Sequence, residues 1–247
     1  MSYRRLEADR AHKGTCAWIL DHRTYKTWLN ETHGLLWIKG NPGAGKSTVM
    51  AYLFRKYLES QVQTNDIVLS FFFHARGSSL QQTKVGMFRC LLHQIYKSSA
   101  SIRPAIRSAF DDSDNNLHVT ELQKLFTEAI LQASKSRRLT IFIDALDEAG
   151  THVAQELADY FHELDHLLAT ESRTAKICIS CREYPVVARN VRYGIWVNRE
   201  NQKDIELYAK DRLLSSTANQ MRNTLSKRHC EILQRDIVQG RRAFSNG

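Results

Sequence analysis

Residues 37–48 read WIKGNPGAGKST, and no other stretch narrows the possible folds so far. Three of the chain's 11 glycines and one of its 3 prolines fall here, behind an apolar run and ahead of a lysine and two hydroxyls. A turn rich in glycine lets backbone amides wrap closely round an anion, because no β-carbon stands in the way. The helix that follows then presents its unpaired N-terminal amides to the same anion. The run Gly40-Asn41-Pro42-Gly43-Ala44-Gly45-Lys46-Ser47 fits GxxxxGK[ST], the pattern of a loop that cradles a polyphosphate. Its candidate binding residues are Gly40, Asn41, Pro42, Gly43, Ala44, Gly45, Lys46, Ser47 and Thr48. Lys46 would bring positive charge to the β- and γ-phosphates, and Ser47 would offer a hydroxyl to Mg²⁺.

Such a loop needs a second acidic group for the metal and a residue that orients water. IFIDALDEAG (141–150) supplies candidates. Asp144 ends an apolar run and is assigned to Mg²⁺. Asp147 or Glu148 would orient the attacking water, and the residues alone do not say which. Asp144 comes 98 positions after Lys46, a gap that suits a P-loop sheet with an additional strand. A further run ends in SCREYP (180–185), which puts Arg182 at the carboxyl end of a strand, where open parallel sheets bind ligands. Arg182 is the candidate sensor of a γ-phosphate.

Around these motifs the pattern alternates. Apolar runs at 35–39, 67–73, 138–144, 176–180 and 193–197 read as strands, and 2–32, 46–60, 80–97, 119–134 and 152–170 as helices. In the first helix the expected buried positions are Trp18, Ile19, Tyr25, Trp28 and Leu29. DDSDNN (111–116) reads as a turn. Alternation of this kind implies an α/β fold, a mostly parallel five-stranded sheet of the P-loop NTPase type flanked by helices. From Gln202 the pattern turns helical, with Ile205, Tyr208, Ala209 and Leu213 on one face. The expected division is a helical lead-in over 1–32, a nucleotide-binding core over 33–198 and a partial helical domain over 199–247.

Other features point elsewhere and are weaker. The net charge of +9 permits an anionic partner, but the basic residues are scattered, which argues against nucleic acid. The N-terminus lacks the apolar stretch of a secretory signal and no run is long enough to span a bilayer, so a cytoplasmic location is expected. Cys178 and Cys181 form a lone CxxC within a strand, where their spacing puts them on opposite faces. HELDH (162–166) matches HExxH, whose histidines hold zinc in metalloproteases. Against that reading, Val153, Leu157, Phe161, Leu164 and Leu168 draw the buried stripe and leave His162 and His166 on the flank.

Together, TCAWILDHRTYKTWL (15–29), GLLWIKGNPGAGKSTVM, SFFFHARG (70–77), IFIDALDEAG, ICISCREYP and NQKDIELYAKDRL (201–213) resemble the NACHT family of STAND-class P-loop NTPases. The resemblance is to its fungal, NLR-like branch and to the nephrocystin-3-like N-terminal NACHT. It implies that the strand carrying Arg182 lies beside the P-loop strand. It further implies ATP and ADP with Mg²⁺ as cofactors, slow hydrolysis, a switch that rests with ADP, and self-association through this domain. The family normally continues into a winged helix and repeats. The tail IVQGRRAFSNG lacks the GVFLWV-like stretch expected next, so a truncated helical segment is anticipated. A nucleotide-binding module without turnover is the alternative from another class.

Overall fold

The computed structural model describes residues 14–60, 64–112, 117–184 and 191–210. Its described residues fall into two units, one ending at Asn201 and one beginning at Gln202. In the second unit, residues 202–210 are helical.

The first unit is built on five strands: β1 (His33–Gly40), β2 (Ile67–Phe72), β3 (Leu139–Asp144), β4 (Ala175–Arg182) and β5 (Tyr193–Trp196). They lie in the order β2-β3-β4-β1-β5, and every pairing is parallel. β4 therefore separates the P-loop strand β1 from the acidic strand β3, while the sequence between Lys46 and Asp144 is taken up by a helix after the P-loop, β2 and the helices that precede β3. The same insertion sets Gly40 opposite Arg182 in the β1–β4 register.

Helices cover both faces, as a parallel sheet requires. On one side lie α1 (Trp18–Asp21), α2 (Arg23–Asn30) and α3 (Lys46–Ser60). Their core takes Leu36 and Ile38 from β1, Phe142 from β3 and Cys178 from β4. Phe142 meets the rings of Phe54 and Tyr57 edge-on, at 5.5 and 5.7 Å. On the other side the short α4 (Ser79–Gln82) leads into α5 (Lys84–Ser98). α6 (Arg103–Asp112), α7 (Val119–Ala133) and α8 (Thr151–Thr170) follow, and α5 to α8 pack over Leu35, Trp37, Ile141, Ile177 and Cys181. Phe88 of α5 holds this layer together, packed at 5.6 Å on Phe126 and 5.4 Å on Tyr160. The two cysteines of the CxxC accordingly lie in different cores and cannot share an ion.

Several expectations need correction, among them the helix over 80–97, which breaks at Thr83 between α4 and α5. The single helix over 2–32 is, within the described residues, two short helices broken at His22, whose extended backbone lets its ring accept from Thr24 N–H and cap α2. In those helices Ile19, Tyr25 and Trp28 are buried, but Leu29 is exposed. Residues 103–110, unassigned from sequence, form α6 together with Asp111 and Asp112, which lie within the turn expected over 111–116; the helix is mostly exposed and buries only Ile106. The tail from 211 onward lies outside the described residues, as do residues 1–13 and Pro185.

Candidate functional site

The turn between β1 and α3 carries the densest set of candidates. Gly43 and Gly45 take φ of 77° and 86°, left-handed conformations that disfavour side chains. A β-carbon built on either would meet nothing within 4 Å, so the space beyond them, at the head of α3, is open. Gly40 is constrained differently, since its β-carbon would come 3.0 Å from Asn198 Oδ1. Inside the turn, Ala44 N–H donates to Asn41 C=O. The first helical bond of α3 runs from Val49 N–H to Gly45 C=O, so the amides of Lys46, Ser47 and Thr48 form the helix N-terminus.

Lys46 spans this turn, its Nζ donating to the carbonyls of Gly40 at 2.8 Å and Asn41 at 2.9 Å. Burial holds the Lys46 ammonium below its ordinary pKa, and the nearby carboxylates of Asp147 and Asp144 push the other way. Asp144, at the end of β3, is fully buried. Its Oδ1 accepts from Ser180 Oγ at 2.5 Å, and Ser180 Oγ in turn accepts from Ala145 N–H at 2.8 Å. Ala145 adopts φ 54°, which swings the chain off the strand into the 3₁₀ turn Leu146–Ala149. A small residue tolerates this conformation where a bulky one would strain.

That 3₁₀ turn aims its two acids at two different segments. Asp147 Oδ1 accepts from Arg182 N–H at 2.9 Å and Oδ2 pairs with Arg182 Nε at 2.8 Å. Asp147 is nearly buried in this grip, while Arg182 is half exposed. Glu148 Oε2 instead accepts from Ala75 N–H at 2.8 Å, in the loop that follows β2. The P-loop, Asp144, Asp147, Glu148 and Arg182 thus gather at the carboxyl ends of β1, β2, β3 and β4. Ser47 and Thr48 occupy the first turn of α3.

The residues suit a nucleoside polyphosphate with a divalent cation. The open space over Gly43 and Gly45 lies at the N-terminus of α3, whose amides, together with Lys46, are the donor set of an anion cradle. The hydroxyl of Ser47 and the buried carboxylate of Asp144 are hard oxygen donors of the kind Mg²⁺ selects.

Sequence reasoning missed the braces. Ser180 orients Asp144 from the neighbouring strand. Asn201 Nδ2 donates to Ala44 C=O at 2.7 Å and so pins the phosphate turn from beyond β5. Neither belongs to a motif with recognisable spacing, because each acts across a gap that only the fold closes.

HELDH forms no comparable cluster. His162, Glu163 and His166 are exposed on α8, the two rings 4.9 Å apart. Asp165 sits 3.9 Å from His33, and among the described residues no three His, Cys, Asp or Glu side chains assemble to hold a metal. Burial pushes the Cys181 thiol up to about 12, far from a reactive thiolate.

The model of the nephrocystin-3 N-terminal family matches residues 14–182. The chain is 27% identical over 190 residues to vegetative incompatibility protein HET-E-1 of Podospora anserina, covering 74% of this chain. It spans only 13% of the length of that relative. Among solved structures, the Aeropyrum pernix ORC1 protein in complex with DNA aligns over 72% of this chain and 44% of its own. The identity there is 14% and the TM-score 0.41. The ORC2 protein of the same organism, in ADPNP and ADP complexes, aligns over 79% of this chain and 48% of its own, with 10% identity and a TM-score of 0.40. Among the described residues no helix is long and apolar enough to cross a membrane.

Proposed function

The chain belongs to the nephrocystin-3 N-terminal family, a NACHT-like P-loop domain, and on that premise we propose that it is a nucleotide-dependent signalling switch that binds ATP with Mg²⁺ and hydrolyses it slowly. One observation carries the reading. The open turn at Gly43 and Gly45 leads into the N-terminus of α3, where Lys46 lies within electrostatic reach of the buried Asp144.

In this reading the turn amides and Lys46 bind the β- and γ-phosphates, and Ser47 and Asp144 hold Mg²⁺. Bound Mg²⁺ neutralises charge that develops on the phosphate oxygens. The two acids left open by sequence divide the remaining work. Glu148, anchored to Ala75 N–H, orients the attacking water. Asp147 positions Arg182, gripping both its main chain and its guanidinium. A γ-phosphate would compete with Asp147 for that guanidinium, which makes Arg182 the sensor. The nucleotide-binding core is assigned to residues 33–198, with a helical lead-in before it.

The relationship to a vegetative incompatibility protein supports a role in fungal NLR-like immunity or heterokaryon incompatibility, exercised in the cytoplasm. The resting form holds ADP, and exchange for ATP promotes self-association. A second reading has its own support: Glu148 and Asp147 both bond to other segments, at Ala75 and Arg182, and a chain whose two acids stay so engaged holds nucleotide without turnover.

Phosphate release from Mg²⁺-ATP separates the two. A slow rate that disappears in both Asp144→Ala and Glu148→Ala supports the switch. Nucleotide binding without release supports the holding module. A rate untouched by both substitutions contradicts the catalytic assignment.

A further inference from the structure

A second recess lies at the opposite end of the sheet. The P-loop follows the carboxyl end of β1, whereas this recess, of about 430 Å³, opens at the amino ends of β3 and β4. α3 joins the two places, running from Lys46 at the phosphate turn to Lys56, Tyr57 and Ser60 in the recess wall. At 1.5 Å per residue, a helix of 15 residues separates them by roughly 22 Å. The volume is that of a small-ligand pocket, which spans about 300–1,000 Å³.

Its chemistry is one-sided. Lys56, Arg138 and Lys176 line it, and no carboxylate does. Lys56 is partly neutralised by Glu59 at 2.7 Å. Lys176 donates to Leu29 C=O and lies 5.7 Å from the Trp28 ring, its pKa lowered by burial and then by the positive charge of Arg138. Asp66 and Glu31 partly offset that repulsion from outside the lining. The Arg138 guanidinium has no hydrogen-bond or ion-pair partner among the described residues.

The floor adds donors that are nearly buried. Tyr25 is 4% exposed, and its hydroxyl has no partner among the described residues. Tyr57 accepts from Thr140 Oγ1 at 2.7 Å, which leaves its own proton for another acceptor. Burial raises both phenols, so both remain donors at neutral pH. Arg138 is exposed, so its guanidinium and the two phenols can turn together toward an anion that enters the recess. Leu20, Leu29 and Leu139 give the recess an apolar flank.

We propose that this recess, framed by Tyr25, Tyr57, Arg138 and Lys176, is a second binding site that takes an amphipathic phosphate monoester, distinct from the nucleotide at the P-loop. The phosphate meets the cations and phenols, and the apolar part lies along the leucines. The proposal does not depend on the nucleotide reading.

The probe is octyl phosphate, titrated calorimetrically into the full chain, with inorganic phosphate and octanol as the two half-ligands. Saturable binding of octyl phosphate is expected, with either half at least about tenfold weaker. Tyr25→Phe and Arg138→Ala should each weaken it by about tenfold, the effect of one hydrogen bond to a charged group. ADP should neither displace it nor lose affinity in these variants. Phosphatidic acid vesicles identify the source: co-sedimentation that Arg138→Ala abolishes marks a lipid headgroup, and its absence marks a free ligand. No octyl phosphate binding, binding indifferent to both substitutions, or competition with ADP would each overturn the assignment.

Discussion

Removing one hydroxyl, in Ser180→Ala, probes the support beneath the acidic strand. Ser180 is fully buried and bridges two groups, donating to Asp144 Oδ1 at 2.5 Å and accepting from Ala145 N–H at 2.8 Å. Alanine leaves the main-chain fold intact and creates almost no cavity. It leaves the Ala145 amide buried without its acceptor and takes a donor from a buried carboxylate. A buried polar group deprived of its partner costs about 1–3 kcal/mol, and more beside a charge, so a loss of roughly 2–3 kcal/mol is expected. For a domain of this size each kcal/mol moves Tm by about 2–4 °C, which predicts a fall of about 4–12 °C. Calorimetry without nucleotide or metal measures it. A melting temperature within about 1 °C of the parent would show that Ser180 does not support the site, and the account of Asp144 would fail with it.

Other substitutions test separate links. Asn201→Ala removes the bond to Ala44 C=O that pins the phosphate turn, a loss of about 1 kcal/mol, so ADP affinity measured by calorimetry should fall about fivefold. Gly45→Ala forces an L-residue to φ near 86°, at a cost of about 1–2 kcal/mol. Its β-carbon also enters the open space over the turn, so nucleotide affinity should fall by more than stability does, a comparison of calorimetric binding with thermal melting. Asp165, raised in pKa chiefly by burial despite His33, His166, His162 and Arg192, is penalised when ionised. That penalty is absent below the unfolded pKa and complete above the folded one. Asp165→Asn should therefore melt higher than the parent at about pH 7, and the gain should shrink as the pH falls, disappearing only below the unfolded carboxyl's pKa of about 3.9.

The phosphate turn was legible because its conformation demands residues that few other turns need: Gly43 and Gly45 sit at positive φ, and the lysine and hydroxyls follow in fixed spacing. The strands were legible from their apolar runs, and the parallel order followed from alternation with helices. The CxxC cysteines on opposite faces followed from the period of a strand. What stayed hidden lies in contacts between distant segments. Nothing in DALDE says that Asp147 reaches Arg182 while Glu148 reaches Ala75, because the two acids are neighbours in sequence and diverge only in the 3₁₀ turn after Ala145. α6 escaped because it buries only Ile106, too little to draw an apolar stripe. The break at His22 escaped because histidine is not among the preferred capping residues.

The central claim is that main-chain amides around Gly43 to Thr48, with Lys46, hold a polyphosphate. Calorimetric titration of ADP into the parent and into Lys46→Ala, each with Mg²⁺, tests it most directly, with melting curves run alongside to show both proteins folded. Saturable binding that drops by at least about tenfold on losing the lysine is the predicted result, since a charge-assisted contact is worth about 1.5–3 kcal/mol. Equal affinity in two folded proteins, or no binding by the parent, would contradict it.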